Sequence, residues 1–261
     1  MSLISIKNIS AGYGKNSVIE DISLEINEGE LIGILGANGS GKSTLAKAVL
    51  NILPHSGEVY VCDKVIEKLS PREVAKLISY VPSHSGINID VSVFDVVMMG
   101  FNSKLGVLEN PSKAMKEKAY SVLEMVGLLD KKDTNYMQLS EGQKQLVIIA
   151  RALVNEGKIL IMDEPESALD FSVRYKMMDI IRNFITKEER ALMVILHDTM
   201  LALNNCDKLV LIKDKRVDGI IDLKKDTIEQ METKLRNIYG NISLVRVKAK
   251  DRERLAMVHE G

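Results

Sequence analysis

The chain has 261 residues, 46% of them apolar and 27% charged, the ordinary balance of a globular protein with a buried core. Its formal net charge is −1, which leaves no global basic field for nucleic acid or for an anionic membrane surface. Cys62 and Cys206 stand far apart without C-x-x-C spacing, so neither a disulfide framework nor a zinc site is expected, and a reducing compartment is.

Residues 2–8 alternate between apolar and polar, as do residues 17–27 through Val18, Ile19, Ile22, Leu24 and Ile26, and both segments are expected as strands. The N-terminal residues lack the charged-then-apolar order of a leader. No apolar run approaches the ~20 residues that cross a bilayer. The expectation is a cytoplasmic chain that reaches a membrane only by docking to another subunit.

The next segment carries the most chemistry. An apolar run, Leu31–Leu35, leads into Gly36-Ala37-Asn38-Gly39-Ser40-Gly41-Lys42-Ser43-Thr44, and a helical pattern follows from Leu45 to Leu50. This is the phosphate-loop pattern G-x-x-x-x-G-K-[ST] in the strand–loop–helix context that gives it meaning. The glycines let consecutive N–H groups turn inward around an anion, and the helix adds its positive end. Lys42 is placed to reach the β- and γ-phosphates and the Ser43 hydroxyl to take a position on Mg²⁺. A nucleoside triphosphate is the expected ligand.

Further strands are expected at Gly57–Cys62, Leu77–Val81, Ile159–Met162, Ala191–Leu196 and Lys208–Ile212, with helices at Pro111–Val126, Glu141–Val154 and Ser172–Thr186. The unbroken apolar runs at 159–162 and 192–196 suit central parallel strands covered on both faces. Strands alternating with helices predict an α/β core. Residues 84–140 show helical patterns and no convincing strand, and are expected as a helical subdomain inserted in that core. The stretch 222–261 is expected as an extension with a helix at Lys225–Ile238 and one closing strand at Ile242–Val247.

Behind the run Ile159–Met162 stand Asp163 and Glu164. A carboxylate at a strand tip beside a phosphate loop can hold Mg²⁺ directly or through water. The adjacent glutamate can polarise an attacking water, a role typically worth about 10²–10⁴ in rate.

Upstream, Leu139-Ser140-Glu141-Gly142-Gln143 opens the helical run 144–154. Here the chain resembles the ATP-binding subunits of ABC transporters, whose signature reads LSGGQ, and the resemblance extends over nearly the whole length as one ATPase domain. It implies an α/β P-loop NTPase fold with an N-terminal antiparallel β portion and the helical subdomain. It implies that Tyr13 stacks on adenine, that Gly36–Thr44 is the Walker A loop, and that Asp163 and Glu164 are the Walker B aspartate and catalytic glutamate. Ser167 and Asp170, in Ser167-Ala168-Leu169-Asp170, resemble the D-loop, and His197 resembles the switch histidine that contacts the γ-phosphate. In the family two subunits pack head to tail, and Ser140, Glu141, Gly142 and Gln143 would cap the ATP of the other copy. The resemblance therefore implies an ATP-sandwiched homodimer using ATP and Mg²⁺, polytopic membrane permease subunits, an extracytoplasmic substrate-binding protein as an indirect partner, and a position on the inner face of the cell membrane.

Two positions depart from the pattern. Glu141 replaces a glycine, and its side chain is expected to point away from phosphate. Ser83, followed by His84, stands after Tyr80-Val81-Pro82 where the family has the Q-loop glutamine, so coupling to a partner is more exposed to this change than hydrolysis.

Longer strings, including 70–75, 91–100 and 148–153, resemble the branch serving importers of iron–siderophore complexes, haem and cobalamin. Val93, Phe94, Val97 and Met98 fall at helical spacing, either as subdomain packing or as a permease-docking patch. Two other functions stay open: a nucleotide-gated binding module with little turnover, and a soluble ABC ATPase of iron–sulfur-cluster assembly.

Overall fold

The computed structural model describes residues 2–84, 86–106, 108–249 and 252–261. Its strands are β1 (Ser2–Tyr13), β2 (Asn16–Asn27), β3 (Leu31–Gly36), β4 (His55–Val61), β5 (Lys64–Val65), β6 (Ile78–Val81), β7 (Ile159–Asp163), β8 (Ala191–Ile195), β9 (Lys208–Lys213), β10 (Arg216–Asp222), β11 (Ile242–Ala249) and β12 (Arg252–His259). Its α-helices are α1 (Lys42–Val49), α2 (Pro71–Leu77), α3 (Val93–Met98), α4 (Lys113–Met125), α5 (Glu141–Val154), α6 (Phe171–Glu188), α7 (Thr199–Asn205) and α8 (Ile228–Tyr239). The chain divides into two units, residues 1–68 with 191–261, and residues 69–190.

In the first unit the alternating segments form an antiparallel sheet in the order β2-β1-β4-β5. Ile4, Ile6, Ile9, Ile19, Ile22 and Ile26 turn inward and are fully buried. A second sheet runs β10-β9-β3-β8, with β3 parallel to both β8 and β9. Flanked on both edges, β3 has Leu31, Ile32, Ile34 and Leu35 out of solvent, as continuous apolar strands of parallel sheets do. The sequence reading has no strand at β10. It is joined to β9 by Asp214 and Lys215, both at positive φ (46° and 70°), the backbone of a tight hairpin turn without its usual glycine. Lys215 is tied back by an ion pair to Glu20 at 3.0 Å. The single closing strand also needs correction: β11 pairs antiparallel with β12 from Ile242↔His259 to Ala249↔Arg252. The charged start of β12 masks its period.

In the second unit β6 and β7 are parallel neighbours. Pro71 follows Ser70, which caps α2 in a reciprocal box with Glu73. Among the described residues of 84–140 there is no strand, only an isolated bridge between Ser92 and Asn135. Val93 and Val97 are fully buried and Met98 is 8% exposed, while Phe94 stacks on Tyr120 with centroids 4.7 Å apart. Val93, Val97 and Met98 thus pack the unit's own interior, while Phe94 is partly buried against the exposed Tyr120. Gly100 lets α3 close on α5, since a Cβ there would lie 2.2 Å from the Arg151 carbonyl oxygen.

Candidate nucleotide-binding site

In the first unit the phosphate loop leaves the carboxyl end of β3, where ligands of parallel sheets gather. Gly39 and Gly41 hold φ of 77° and 100°. A Cβ at Gly41 would meet Ile19 Cγ2 at 2.5 Å, so the position excludes a side chain on two counts. Gly41 is also the N-cap of α1. No side chain caps that helix and no acidic residue lies in its first turn, so its positive end is turned toward the loop. The Lys42 ammonium is folded back onto the loop, donating to the carbonyls of Gly36 at 2.9 Å and Ala37 at 3.0 Å. Lys42 and Thr44 are buried, Ser40 and Ser43 are partly buried, and Asn38 and Gly39 are exposed.

Tyr13, half exposed, lies in a groove of about 690 Å³ at the β1–β2 turn, lined also by Gly12, Asn16, Ser17 and Pro54. Lys47 of α1 places its ammonium 3.5 Å from the Tyr13 hydroxyl and 6.0 Å from the ring centroid. The sequence reading missed Lys47. Its signal was a cation one helical turn beyond Ser43. His197 is exposed and follows β8, whose Ile195 pairs with Ile34 of β3. It therefore leaves the sheet at the same end as the phosphate loop. Asp198 behind it caps α7 by accepting from Leu201 N–H at 2.9 Å.

In the second unit Asp163 ends β7 and is 2% exposed. Glu164 follows at φ 52°, a left-handed backbone that L side chains rarely adopt. Val81 pairs with Met162, so Ser83 and Glu164 emerge from the same end of the β6–β7 pair. Ser167 N–H donates to the Glu164 carbonyl at 3.2 Å, and Arg174 Nε to the Leu169 carbonyl at 2.7 Å, which shapes residues 164–170 as a compact turn. Ser167 and Asp170 are exposed at its rim, and Asp170 stands at the N-cap of α6 without a side-chain cap bond.

The signature forms the start of α5. Ser140 Oγ accepts from Gln143 N–H at 3.3 Å and Gln143 Oε1 from Ser140 N–H at 3.1 Å. This capping box uses the N–H groups of Ser140 and Gln143 and leaves those of Glu141 and Gly142 pointing off the helix end, with the Ser140 hydroxyl proton still to donate. The Glu141 carboxylate is turned outward, 79% exposed, and paired with Lys144 at 2.8 Å. Gly142 packs closely on the turn: a Cβ there would stand 3.0 Å from the Ala168 carbonyl oxygen.

The residues fit a magnesium nucleotide. A glycine-capped helix start with a buried lysine folded over it suits a polyphosphate, and a hydroxyl, as at Ser43 of the first unit, and a carboxylate, as at Asp163 of the second, are each of the hard oxygen kind that Mg²⁺ takes. Fold and loop together define a P-loop NTPase. The family model described as ABC transporter matches residues 19–167, more than half of the chain, and the chain belongs to that family as an ATP-binding, ATP-hydrolysing member. A "probable iron chelatin transport ATP-binding protein" of Helicobacter pylori is 35% identical over 217 residues, covering 82% of this chain and 85% of its own length. The manganese transport system ATP-binding protein MntB of Bacillus subtilis is 35% identical, with 82% and 84% covered. Among solved structures, a chain from "an inward-facing conformation of a putative metal-chelate type ABC transporter" is similar in fold, with TM-score 0.82 at 21% identity over 100% of this chain and 99% of that one. A bacterial ABC transporter cassette solved as a dimer superposes with TM-score 0.76 at 27% identity, over 84% and 98%. Among the described residues no helix is long and apolar enough to cross a membrane.

Proposed function

We propose that this chain is the ATP-hydrolysing subunit of a membrane importer for a metal cargo, of the iron–siderophore, haem, cobalamin or similar chelate kind. The names of its relatives, which include iron chelatin and manganese transport proteins, favour a metal cargo. The observation that carries the mechanism is the presence of two separate anion-receiving helix starts on one chain, at α1 and at α5. In this reading Tyr13 stacks on the adenine, the loop 36–44 wraps the phosphates, and Lys42 draws charge from the β- and γ-oxygens. Ser43 and Asp163 would hold the Mg²⁺, which would supply positive charge against the phosphates. Glu164 polarises the attacking water, and His197 donates toward the γ-phosphate.

The α5 start then serves the nucleotide of a second copy, giving a homodimer with ATP at both interfaces. Closure on ATP and reopening after hydrolysis is a ligand-driven population shift, which polytopic permease subunits would convert into transport of a cargo delivered by an extracytoplasmic binding protein. The chain would sit on the cytoplasmic side through that permease. Ser83 is too short to reach as a glutamine does, and either a bridging water or His84 would have to take its place.

The test is steady-state Mg·ATP hydrolysis by the purified chain, with Glu164→Gln as the blank. Turnover that vanishes in the variant supports the reading. ATP binding with no turnover, alone or with a reconstituted permease, would favour a nucleotide-gated binding module.

A further inference from the structure

The signature carries a charge at odds with the task proposed for it. In the dimer reading above, on which this inference rests, the N–H groups of Glu141 and Gly142 receive the γ-phosphate held by a second copy. Glu141 puts a carboxylate into that same helical turn. In the free protein the helix's positive end favours the carboxylate. Toward an incoming triphosphate it is repulsive, and it competes for the same N-terminal potential.

In the structure the Glu141 carboxylate has a partner. Glu141 Oε1 accepts from Lys144 Nζ at 2.8 Å, one turn along α5. The partners are unequal: the Lys144 side chain is 18% exposed, against 79% for Glu141. The lysine lies anchored along the protein, and the carboxylate swings back to meet it, away from the exposed N–H groups. An exposed pair of this kind adds little to folding. Its consequence lies in binding, where a covering partner would strip water from the turn and strengthen every charge in it.

We propose that Lys144 is a positioning residue of the signature. By pairing with Glu141 it holds that carboxylate off the α5 N-terminus and cancels its charge, so that the triphosphate of a nucleotide on a second copy can dock there. The glutamate and the lysine act as a unit, and neither charge is useful at this position without the other.

The test uses the full chain in a Glu164→Gln background, which removes the water-polarising carboxylate and leaves the phosphate contacts in place. Sedimentation velocity across an ATP titration reads the dimer directly, without reference to turnover. Lys144→Met keeps the apolar stem and the helix propensity but removes the ammonium. It is expected to raise the ATP concentration for half-maximal dimer on the order of tenfold, the effect of one unpaired charge a few ångströms from phosphate in a partly desolvated setting. The shift should shrink as salt is raised. Adding Glu141→Gln is expected to restore dimer formation, and Lys144→Arg alone to leave it close to the parent. That rescue separates positioning from packing, because packing lost at residue 144 is not repaired by neutralising residue 141. Thermal midpoints of the variants read folding separately. A Lys144→Met variant that dimerises like its parent, or a defect that persists with Glu141→Gln, overturns the proposal. A Glu164→Gln parent that stays monomeric at saturating ATP overturns the dimer reading and this inference with it.

Discussion

Glu164 is built into a backbone that resists it. At φ 52° it holds a left-handed conformation at the end of β7, where a Cβ costs roughly 1–2 kcal/mol. Two truncations isolate that cost. Glu164→Ala and Glu164→Gly both remove the carboxylate and differ only in the Cβ. At an ordinary position the glycine variant is the less stable of the two, by about 0.5–1 kcal/mol of extra chain entropy. Here the strain relieved exceeds that entropy, and glycine is expected to be more stable than alanine by about 0.5–1 kcal/mol. With a urea slope of about 2–3 kcal/mol/M for a chain of this size, the midpoint gap is about 0.3 M in favour of glycine. Urea denaturation followed by circular dichroism, without nucleotide, resolves such a gap. Neither variant should hydrolyse ATP above background, so any stability gain is read apart from catalysis. An alanine variant as stable as the glycine variant, or more so, would refute the strain argument. The backbone at Glu164 would then be an ordinary one, with no stability given up to aim the carboxylate.

Three further outcomes follow from the same geometry. Gly100→Ala places a methyl 2.2 Å from the Arg151 carbonyl and 2.4 Å from Val154 Cγ2, and overpacking at this helix contact should cost about 1–3 kcal/mol in a denaturant titration; an unchanged midpoint would contradict the close approach of α3 and α5. Glu156 is held below the usual carboxylate range first by its hydrogen bond to Lys104 and then by the charges of Lys104 and Lys118, against a raising effect of burial. A depressed carboxylate stabilises fully above its unfolded value and loses that contribution as pH falls through the folded one. The wild type should therefore exceed Glu156→Gln in stability near neutral pH, and the gap should close as pH drops below 4.5; a gap that widens in acid would reverse the sign. Tyr13→Ala should weaken nucleotide binding about tenfold through the loss of one stacking face, read by titration with a fluorescent ATP analogue, and Tyr13→Phe should retain most of the affinity. Equal losses in both variants would move the contribution from the ring to its hydroxyl and Lys47.

Much of the candidate site was readable because its chemistry needs particular residue types at fixed short spacings. A loop that presents N–H groups to phosphate needs glycines at 39 and 41 and a lysine just inside the helix, and these are local constraints. The alternation of β1 and β2 and the apolar runs of β3, β7 and β8 likewise report burial residue by residue. What was not readable has a physical reason in each case. The turns at Cys62-Asp63 and Asp214-Lys215 adopt positive φ without glycine, so β5 and β10 lack their usual marker. Val93, Phe94, Val97 and Met98 show the same helical period whether they pack inward or face a partner, and only the surrounding chain decided that Val93, Val97 and Met98 pack inward while Phe94 stays partly exposed beside Tyr120.

By itself the sequence determined the ligand class and the elements that carry it, because phosphate binding and strand burial are written in neighbouring residues. The tertiary structure alone decided which side chains serve one another: Lys47 at Tyr13, 34 positions away, and Glu164 in a strained backbone at the strand end shared with Ser83. Such pairings depend on where the chain returns in space, and no local pattern records that.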